Sequence, residues 1–461
     1  MEDKSADLVI LGGGSGGYAC ALRAAQLGQT VVLIEQDRLG GTCLHKGCIP
    51  TKALLHAAEI ADNVRDSARF GVSSQLTGID IDGVHGYKNE VVDKLYKGLQ
   101  GLVKSRKIEL VSAAGTLTAP NVVEAGGTRY TGRQVVLATG AKSKTVPGVP
   151  IGGRVVTSDQ ALELSYVPSR VIVLGGGVIG VEFASLWRSF GTEVTVVEAL
   201  PRLVPNEDTF VSSQLERAFG RRQINVRTGT AVTDVTADAE QVTVTLDSGE
   251  ELTADVLLVA VGRAPNTAGL GLEEVGVRLE RGGFISVDDN LQTNLENVYA
   301  VGDVVAGLQL AHRGFQQGLF VAEHIAGLAP RRVAESTIPR VTYCEPEIAS
   351  VGLTESAARE KYGDIDTVTY DLAGNGKSQI LRAQGAVKLV KAGGRGTPGA
   401  VVGVHLVGSR VGELIGEAQL ICGWEATAED VAPLVHAHPT QHEALGEAHL
   451  VLAGKPLHAH G

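Results

Sequence analysis

Leu8-Val9-Ile10-Leu11-Gly12-Gly13-Gly14-Ser15-Gly16-Gly17 opens the first regular pattern in the chain. Four apolar residues predict a buried strand, and the glycines predict a tight turn into a helix over residues 18–27, stopped at Gly28. Val31-Val32-Leu33-Ile34 is a second strand that ends on Glu35. Val171-Ile172-Val173-Leu174-Gly175-Gly176-Gly177-Val178-Ile179-Gly180 repeats the pattern, with a helical run up to Gly191 and a strand over 194–197 ending on Glu198. The first glycine and the acid are equally far apart in the two copies.

Each copy predicts a β-α-β unit with a dinucleotide fingerprint. Gly12 and Gly175 allow the turn, Gly14 and Gly177 let backbone approach a pyrophosphate, and Gly17 and Gly180 let helix pack on strand. The pyrophosphate then sits at the positive end of a helix. Glu35 and Glu198 stand where an acid hydrogen-bonds an adenosine ribose. A lone glycine fingerprint is weak evidence; strand, turn, helix, second strand and acid in place twice predict two dinucleotides, FAD and NAD(P). Both halves also close alike, at Val135-Val136-Leu137-Ala138-Thr139-Gly140 and over 257–262. The stretch from Glu35 to Gly140 is longer than its counterpart from Glu198 to Gly262, and the excess contains a close cysteine pair.

That pair lies in Gly40-Gly41-Thr42-Cys43-Leu44-His45-Lys46-Gly47-Cys48-Ile49-Pro50-Thr51-Lys52. Four intervening residues permit a small disulfide ring in a turn or a distorted helix start. So small a ring constrains the unfolded chain little, which favours a redox role over a stabilising one. A metal site needs further soft ligands that His45 alone does not supply, and a pair of inert buried thiols is the third reading. Nearby lysines and a helix start favour a reactive thiolate. Cys20, Cys344 and Cys422 have no close partner and are expected in the core.

The 461 residues suffice for about three domain-sized cores. A net charge of −11 argues against nucleic acid, which calls for a basic surface. Five cysteines are too few and odd in number for a secreted disulfide scaffold. No segment reaches about 18 uninterrupted apolar residues, so no membrane span is expected. The charged N-terminus has no signal-peptide core, and a cytoplasmic location is the default expectation.

With both fingerprints, the G-G-T-C-x4-C-I-P-T-K loop, the Ala138-Thr139-Gly140 turn and Val298-Tyr299-Ala300-Val301-Gly302-Asp303, the chain resembles the flavoprotein pyridine nucleotide-disulfide oxidoreductases. Ile338-Pro339-Arg340-Val341-Thr342-Tyr343 and His436-Ala437-His438-Pro439-Thr440-Gln441-His442-Glu443 extend the likeness along the whole chain, above all to the dihydrolipoyl dehydrogenase branch. The resemblance implies that Gly12, Gly14, Gly17, Glu35, Thr42, Gly115, Thr139, Gly140 and Asp303 bind FAD, with Leu310-Ala311-His312 beneath the flavin at a helix start. It places Lys52 by the flavin, paired with Glu182, and gives NAD to Gly175, Gly177, Gly180, Glu182, Glu198 and Gly262. It makes Cys48 the flavin-side thiol, Cys43 the interchange thiol, and His438 the acid/base oriented by Glu443 and supplied by the partner of a homodimer. A histidine titrates in the range needed to ionise a substrate thiol, and a carboxylate fixes its tautomer. On its own His438 would be a loop histidine; a zinc site of His436, His438 and His442 has no carboxylate or cysteine set to complete it.

The implied partners are lipoyl domains of 2-oxo-acid dehydrogenase complexes or the glycine-cleavage carrier protein. Rivals are a mycothiol- or glutathione-type reductase and a non-catalytic flavin-binding subunit of a larger complex. Glutathione-type members usually carry arginines where Glu198 stands, and mercuric and large thioredoxin reductases end in a cysteine pair that Lys455-Pro456-Leu457-His458-Ala459-His460-Gly461 lacks. Two departures stand out. His45-Lys46 replaces the common Asn-Val between the cysteines, which is expected to lower thiol pKa values or alter substrate approach, and Gln316-Gln317 stands where acids that tune the flavin are common. The expected fold is α/β, with two Rossmann-type domains and a C-terminal α+β dimerisation domain. The boundaries are FAD binding at 1–150, NAD binding at 151–276, a central segment completing the FAD domain at 277–345, and an interface domain at 346–461.

Overall fold

The structure is a computed structural model that describes residues 2–459; Met1, His460 and Gly461 lie outside the described residues. Strand residues such as Leu8, Val9, Ile10 and Leu33 are fully buried, as continuous apolar runs in a parallel sheet covered on both faces should be. The first sheet orders its parallel strands Glu109–Ser112, Val31–Glu35, Glu2–Leu11, Thr128–Leu137 and Val298–Ala300. The second orders Asn225–Thr228, Glu193–Glu198, Arg170–Leu174, Val256–Val259 and Val155–Thr157 in the same way. In both units the fingerprint strand is central, and an antiparallel three-stranded meander leads into the strand beside it.

The units differ in where the last strand comes from. Val155–Thr157 precedes the second unit's other strands, whereas Val298–Ala300 reaches the first sheet only after the second unit is complete. A short antiparallel tie between Ala141–Ser143 and Arg263–Pro265 marks the crossing out and back. The first unit's excess holds the helices Gly41–His45, Cys48–Asp66 and Ile81–Ser105. The last part of the chain is an antiparallel sheet, Arg340–Thr342, Glu347–Gly352, Val401–Gly408, Ala386–Ala392 and Ile365–Asp371, with the helices Ile415–Gly423 and Glu443–Leu452 contributing to its core. Among the described residues no helix is long and apolar enough to cross a membrane.

The first fingerprint helix, Ser15–Gln26, packs on Ala311–Ile325 through small residues. A Cβ on Gly318 would collide with Gly16 O and come within 2.9 Å of Cys20 N, both backbone atoms that cannot turn aside. Cys20 is fully buried there, its thiol pushed up to about 12 by burial, and so is inert. Gly318→Ala should force these helices apart and cost about 1–3 kcal/mol, seen as a lower denaturation midpoint. Gly101→Ala is the control: nothing lies within 4 Å of its Cβ on the helix Ile81–Ser105, so the midpoint should hold or rise.

Candidate functional site

The two fingerprints are sterically alike atom for atom. Gly12 and Gly175 have φ of +106° and +111°, and a Cβ on them would strike the carbonyls of Ala138 and Ala260. A Cβ on Gly17 would collide with Gly12 O, and one on Gly180 with Gly175 O. At Gly14 and Gly177 nothing lies within 4 Å. The backbone is thus closed at the first and last glycine and open at the middle one, where a pyrophosphate must approach. The acids complete the match. Glu35 Oε2 accepts from Gly13 N–H at 2.6 Å and Oε1 from Asp37 N–H at 2.8 Å; Glu198 accepts from Gly176 N–H at 2.6 Å and Leu200 N–H at 2.7 Å. Gly13 and Gly176, absent from the G-x-G-x-x-G pattern, are therefore part of the acid's seat: a Cβ there would lie 3.1 Å from the Cβ of Glu35 or Glu198. The repetition of that third glycine in both copies was the available signal.

A cleft of about 460 Å³ runs along the first unit, lined by Gly12, Gly14, Glu35, Thr42, Gly115 and the Thr139-Gly140 turn. Arg263 and Asn266 form its far wall and were missed by the motif reading. Asn266 brackets Thr139, whose Oγ1 donates to Asn266 O at 2.7 Å while Asn266 Nδ2 donates to Thr139 O at 3.1 Å. Arg263 donates to Ala141 O and leaves a buried Nε without a partner among the described residues. Asp303 is half-buried, its carboxyl raised by burial against the pull of Arg263 and Arg313, and among the described residues its side chain accepts no hydrogen bond. An open glycine, an orphaned guanidinium nitrogen and a half-buried carboxyl without a hydrogen bond fit a dinucleotide with phosphate and hydroxyl groups to satisfy them.

Cys43 sits in the short helix Gly41–His45, and Cys48 is the first residue of Cys48–Asp66, where Pro50 in the first turn costs no backbone bond. The structure carries both as free thiols in hydrogen-bond contact. That bond, helped by Lys52, draws the Cys48 thiol below its usual range against the effect of burial, and Cys43 is raised by the same bond. Ser15, at the start of the first fingerprint helix, hydrogen-bonds Cys43 and so links the fingerprint to the pair. One turn along, Lys52 Nζ donates to both oxygens of Glu182, at 2.8 and 2.7 Å, and lies 4.8 Å over the Tyr343 ring. Burial opposes the Lys52 charge, but Glu182 outweighs it and holds the ammonium above its usual range. Glu182 also accepts from Tyr343 N–H at 2.9 Å, so its carboxylate is turned towards the cysteine helix and not to the second unit's ribose acid.

The two departures have other roles than expected. Lys46 pairs with Asp37 at 2.6 Å, His45 Nε2 donates to Leu39 O at 2.9 Å, and both side chains line the dinucleotide cleft. The charge that acts on Cys48 is that of Lys52, and His45 and Lys46 face the cleft. Gln317 Oε1 accepts from Gly302 N–H at 2.8 Å and so fixes the backbone just before Asp303. Leu310 caps the helix Ala311–Ile325, and His312 Nε2 donates to Pro339 O at 2.7 Å. Gly262, at φ +109°, accepts from Lys144 N–H beside the tie between the units.

His438 Nδ1 donates to Glu443 Oε1 at 2.8 Å, and Thr440 N–H donates to Oε2 at 2.8 Å. The His438 side chain is 75% exposed, and among the described residues no hydrogen bond or ion pair joins it to Cys43, Cys48 or Lys52. A single chain therefore holds a histidine–carboxylate pair and a cysteine pair in separate places.

A dithiol between one dinucleotide cleft and a second dinucleotide unit defines a disulfide oxidoreductase that uses two nucleotide cofactors. Residues 6–318 match the pyridine nucleotide-disulphide oxidoreductase family and residues 338–449 match its dimerisation domain. A dihydrolipoyl dehydrogenase of Bacillus subtilis is 39% identical, covering 98% of this chain and 99% of the relative. The mitochondrial dihydrolipoyl dehydrogenase of Pisum sativum is 37% identical over 98% and 92%. Among solved structures, LpdA of Mycobacterium tuberculosis superposes with a TM-score of 0.89 at 26% identity, over 98% of this chain and 100% of that one. The HOCl-induced flavoprotein disulfide reductase RclA of Escherichia coli, as its Cu(II) complex, gives 0.87 at 27% identity over 97% and 99%. The chain belongs to the pyridine nucleotide-disulphide oxidoreductase family, and its cofactors are FAD and NAD.

The open and closed glycines can be told apart by experiment. Gly17→Ala should destabilise the protein with or without flavin by about 1–3 kcal/mol, because the methyl meets a carbonyl. Gly14→Ala should stay within about 1 kcal/mol of the parent without flavin yet bind FAD at least about tenfold more weakly, as checked by calorimetric titration of the apoprotein.

Proposed function

We propose that this chain is a dihydrolipoyl dehydrogenase that reoxidises protein-bound dihydrolipoamide with NAD. The observation that carries the reading is the Cys43/Cys48 pair at a helix start above the Lys52–Glu182 ion pair, in a chain alike along its whole length to dihydrolipoyl dehydrogenases. The family's dimerisation domain supports a homodimer in which His438 and Glu443 of one subunit serve the cysteine pair of the other. The docking partners are lipoyl domains of 2-oxo-acid dehydrogenase complexes or of the glycine-cleavage carrier protein. The residue spans 1–150, 151–276, 277–345 and 346–461 remain our division into FAD, NAD, central and interface parts.

The residues divide the work as follows. Glu443 accepts the hydrogen bond of His438 Nδ1–H and so fixes the tautomer, which leaves Nε2 to accept a proton from a substrate thiol. The substrate thiolate attacks Cys43 of the oxidised pair, breaks the S–S bond and releases Cys48 as a thiolate. The Lys52 ammonium, one turn along the helix that begins at Cys48, favours that thiolate as it leaves. The second substrate thiol, deprotonated in turn, displaces Cys43, so the substrate leaves as a disulfide and the enzyme holds the dithiol. The first fingerprint, Glu35, Asp303 and the Thr139-Gly140 turn would hold FAD, which when bound would supply electron-pair transfer between the dithiol and NAD.

Oxidation of dihydrolipoamide should reduce NAD at a rate far above any reduction of glutathione or mycothiol disulfide by NADPH; faster use of either disulfide would overturn the substrate. Cys43→Ser and Cys48→Ser should each abolish that turnover and leave NADH-to-dye activity, which needs no disulfide, near the parent level. NAD should be preferred to NADP by about 10²-fold in kcat/KM, since the Glu198 carboxylate repels a 2′-phosphate. Arg202, the first cation after Glu198 in the sequence, donates through one nitrogen to Pro205 O at 2.6 Å. Equal efficiency with both nucleotides would remove Glu198 from that role.

A further inference from the structure

The segment from His436 to His442 carries His438 and ends beside Glu443, and both of its ends meet a carboxylate on another helix. His436 Nε2 donates to Glu417 Oε1 at 2.8 Å, and His442 Nδ1 donates to Glu417 Oε2 at 3.1 Å. Glu417 lies in the first turn of Ile415–Gly423. We infer that Glu417 is a positioning residue for thiol deprotonation, one carboxylate that clamps both ends of the segment presenting His438.

The surroundings support a dedicated fit. The His436 ring lies against Gly446 on the helix Glu443–Leu452, where a Cβ would come within 2.6 Å of Nδ1. Only a glycine lets the ring rest on the helix that carries Glu443. Burial pushes the Glu417 carboxyl up, and the bonds from His436 and His442 outweigh it and hold it below its usual range. The same bond from Glu417 raises His436, with Glu443 adding to it, while His449 faces the pair from the Glu443 helix. The segment has other ties: Asn375 Nδ2 donates to Thr440 O at 3.0 Å, and Gln441 Nε2 to Ser409 O at 2.7 Å. The backbone of His442 also caps the helix Glu443–Leu452, accepting from Leu445 N–H at 3.0 Å, so Glu417 adds the side-chain tie that joins the two ends. The clamp touches no reacting atom, so its effect runs through the position of His438.

The inference rests on the dihydrolipoamide reading above, and the two half-reactions test it in the intact flavin-bound dimer. Glu417→Gln keeps the shape but accepts from only one histidine, and Gly446→Ala displaces the His436 ring without removing a polar group. Reduction of the enzyme by dihydrolipoamide, followed by stopped flow, should slow about 10-fold in each, the scale of a small misplacement of a catalytic group. Reduction by NADH, flavin content and dimer mass should match the parent. Dihydrolipoamide rates at the parent value in both variants would overturn the clamp, as would a fall of both half-reactions together with loss of flavin or dimer. A parent enzyme that dihydrolipoamide fails to reduce would instead sink the functional reading, and the clamp with it.

Discussion

The ion pair between Lys52 and Glu182 is the contact on which the rest of the arrangement turns. Its ammonium comes from the helix that begins at Cys48, and its carboxylate from the fingerprint helix of the second unit. The Glu182 side chain is only 4% exposed, and removing Lys52 would strand its buried charge, at a cost of about 3–5 kcal/mol. The geometry is therefore kept whole or lost. Around it Leu54 and Ala58 of the cysteine helix share a core with Phe183 and Trp187 of the fingerprint helix, and Arg222 joins Asp62 to Ser189 at the far end. Helix, ion pair and core together fix the cysteine pair between the two nucleotide units.

That placement gives the pair its polarity. Cys48 is nearer the cation in sequence and feels its charge, while Cys43 is held by Ser15 from the first fingerprint helix. Two chemically equal thiols become unequal chiefly through the bond between them, which raises Cys43 and draws Cys48 down. The asymmetry is what directed electron flow requires: one sulfur leaves easily, and the other is left to meet substrate.

Much of this was legible in the amino-acid order because glycine has few substitutes where backbones touch. Gly12, Gly17, Gly175 and Gly180 announced both units since any Cβ there strikes a carbonyl, and the cysteine loop announced itself by spacing. What stayed hidden depends on contacts between distant segments. Nothing local to Val298–Ala300 says that it returns to a sheet begun at residue 2, or that Tyr343 N–H completes the seat of Glu182. The partners of His45 and Lys46 stayed hidden for the same reason: both lie close in sequence to two cysteines, but the short helix Gly41–His45 carries them round to the cleft, to Leu39 and Asp37. Gln317 reads as a lost acid until Gly302 is seen to need an acceptor, which an amide supplies as well as a carboxylate.

The duplication explains why one scaffold serves two cofactors in different ways. Both copies keep the acid seated on its glycine, so both keep a place for an adenosine ribose. They diverge at the first residue of the fingerprint helix. In the first copy that residue is Ser15, whose hydroxyl reaches Cys43; in the second it is Val178, which offers no hydrogen bond and is 42% exposed. The first copy also has the inserted helices, which wall its cleft with Thr42, His45 and Lys46, whereas the second passes from its acid directly to a short loop and Thr209–Arg221. A cleft walled by the redox loop suits a cofactor that stays, and an unwalled one suits a cofactor that comes and goes. The difference between the two nucleotide units thus comes from an insertion in one half of a repeat, with the glycine turn and the seated acid unchanged.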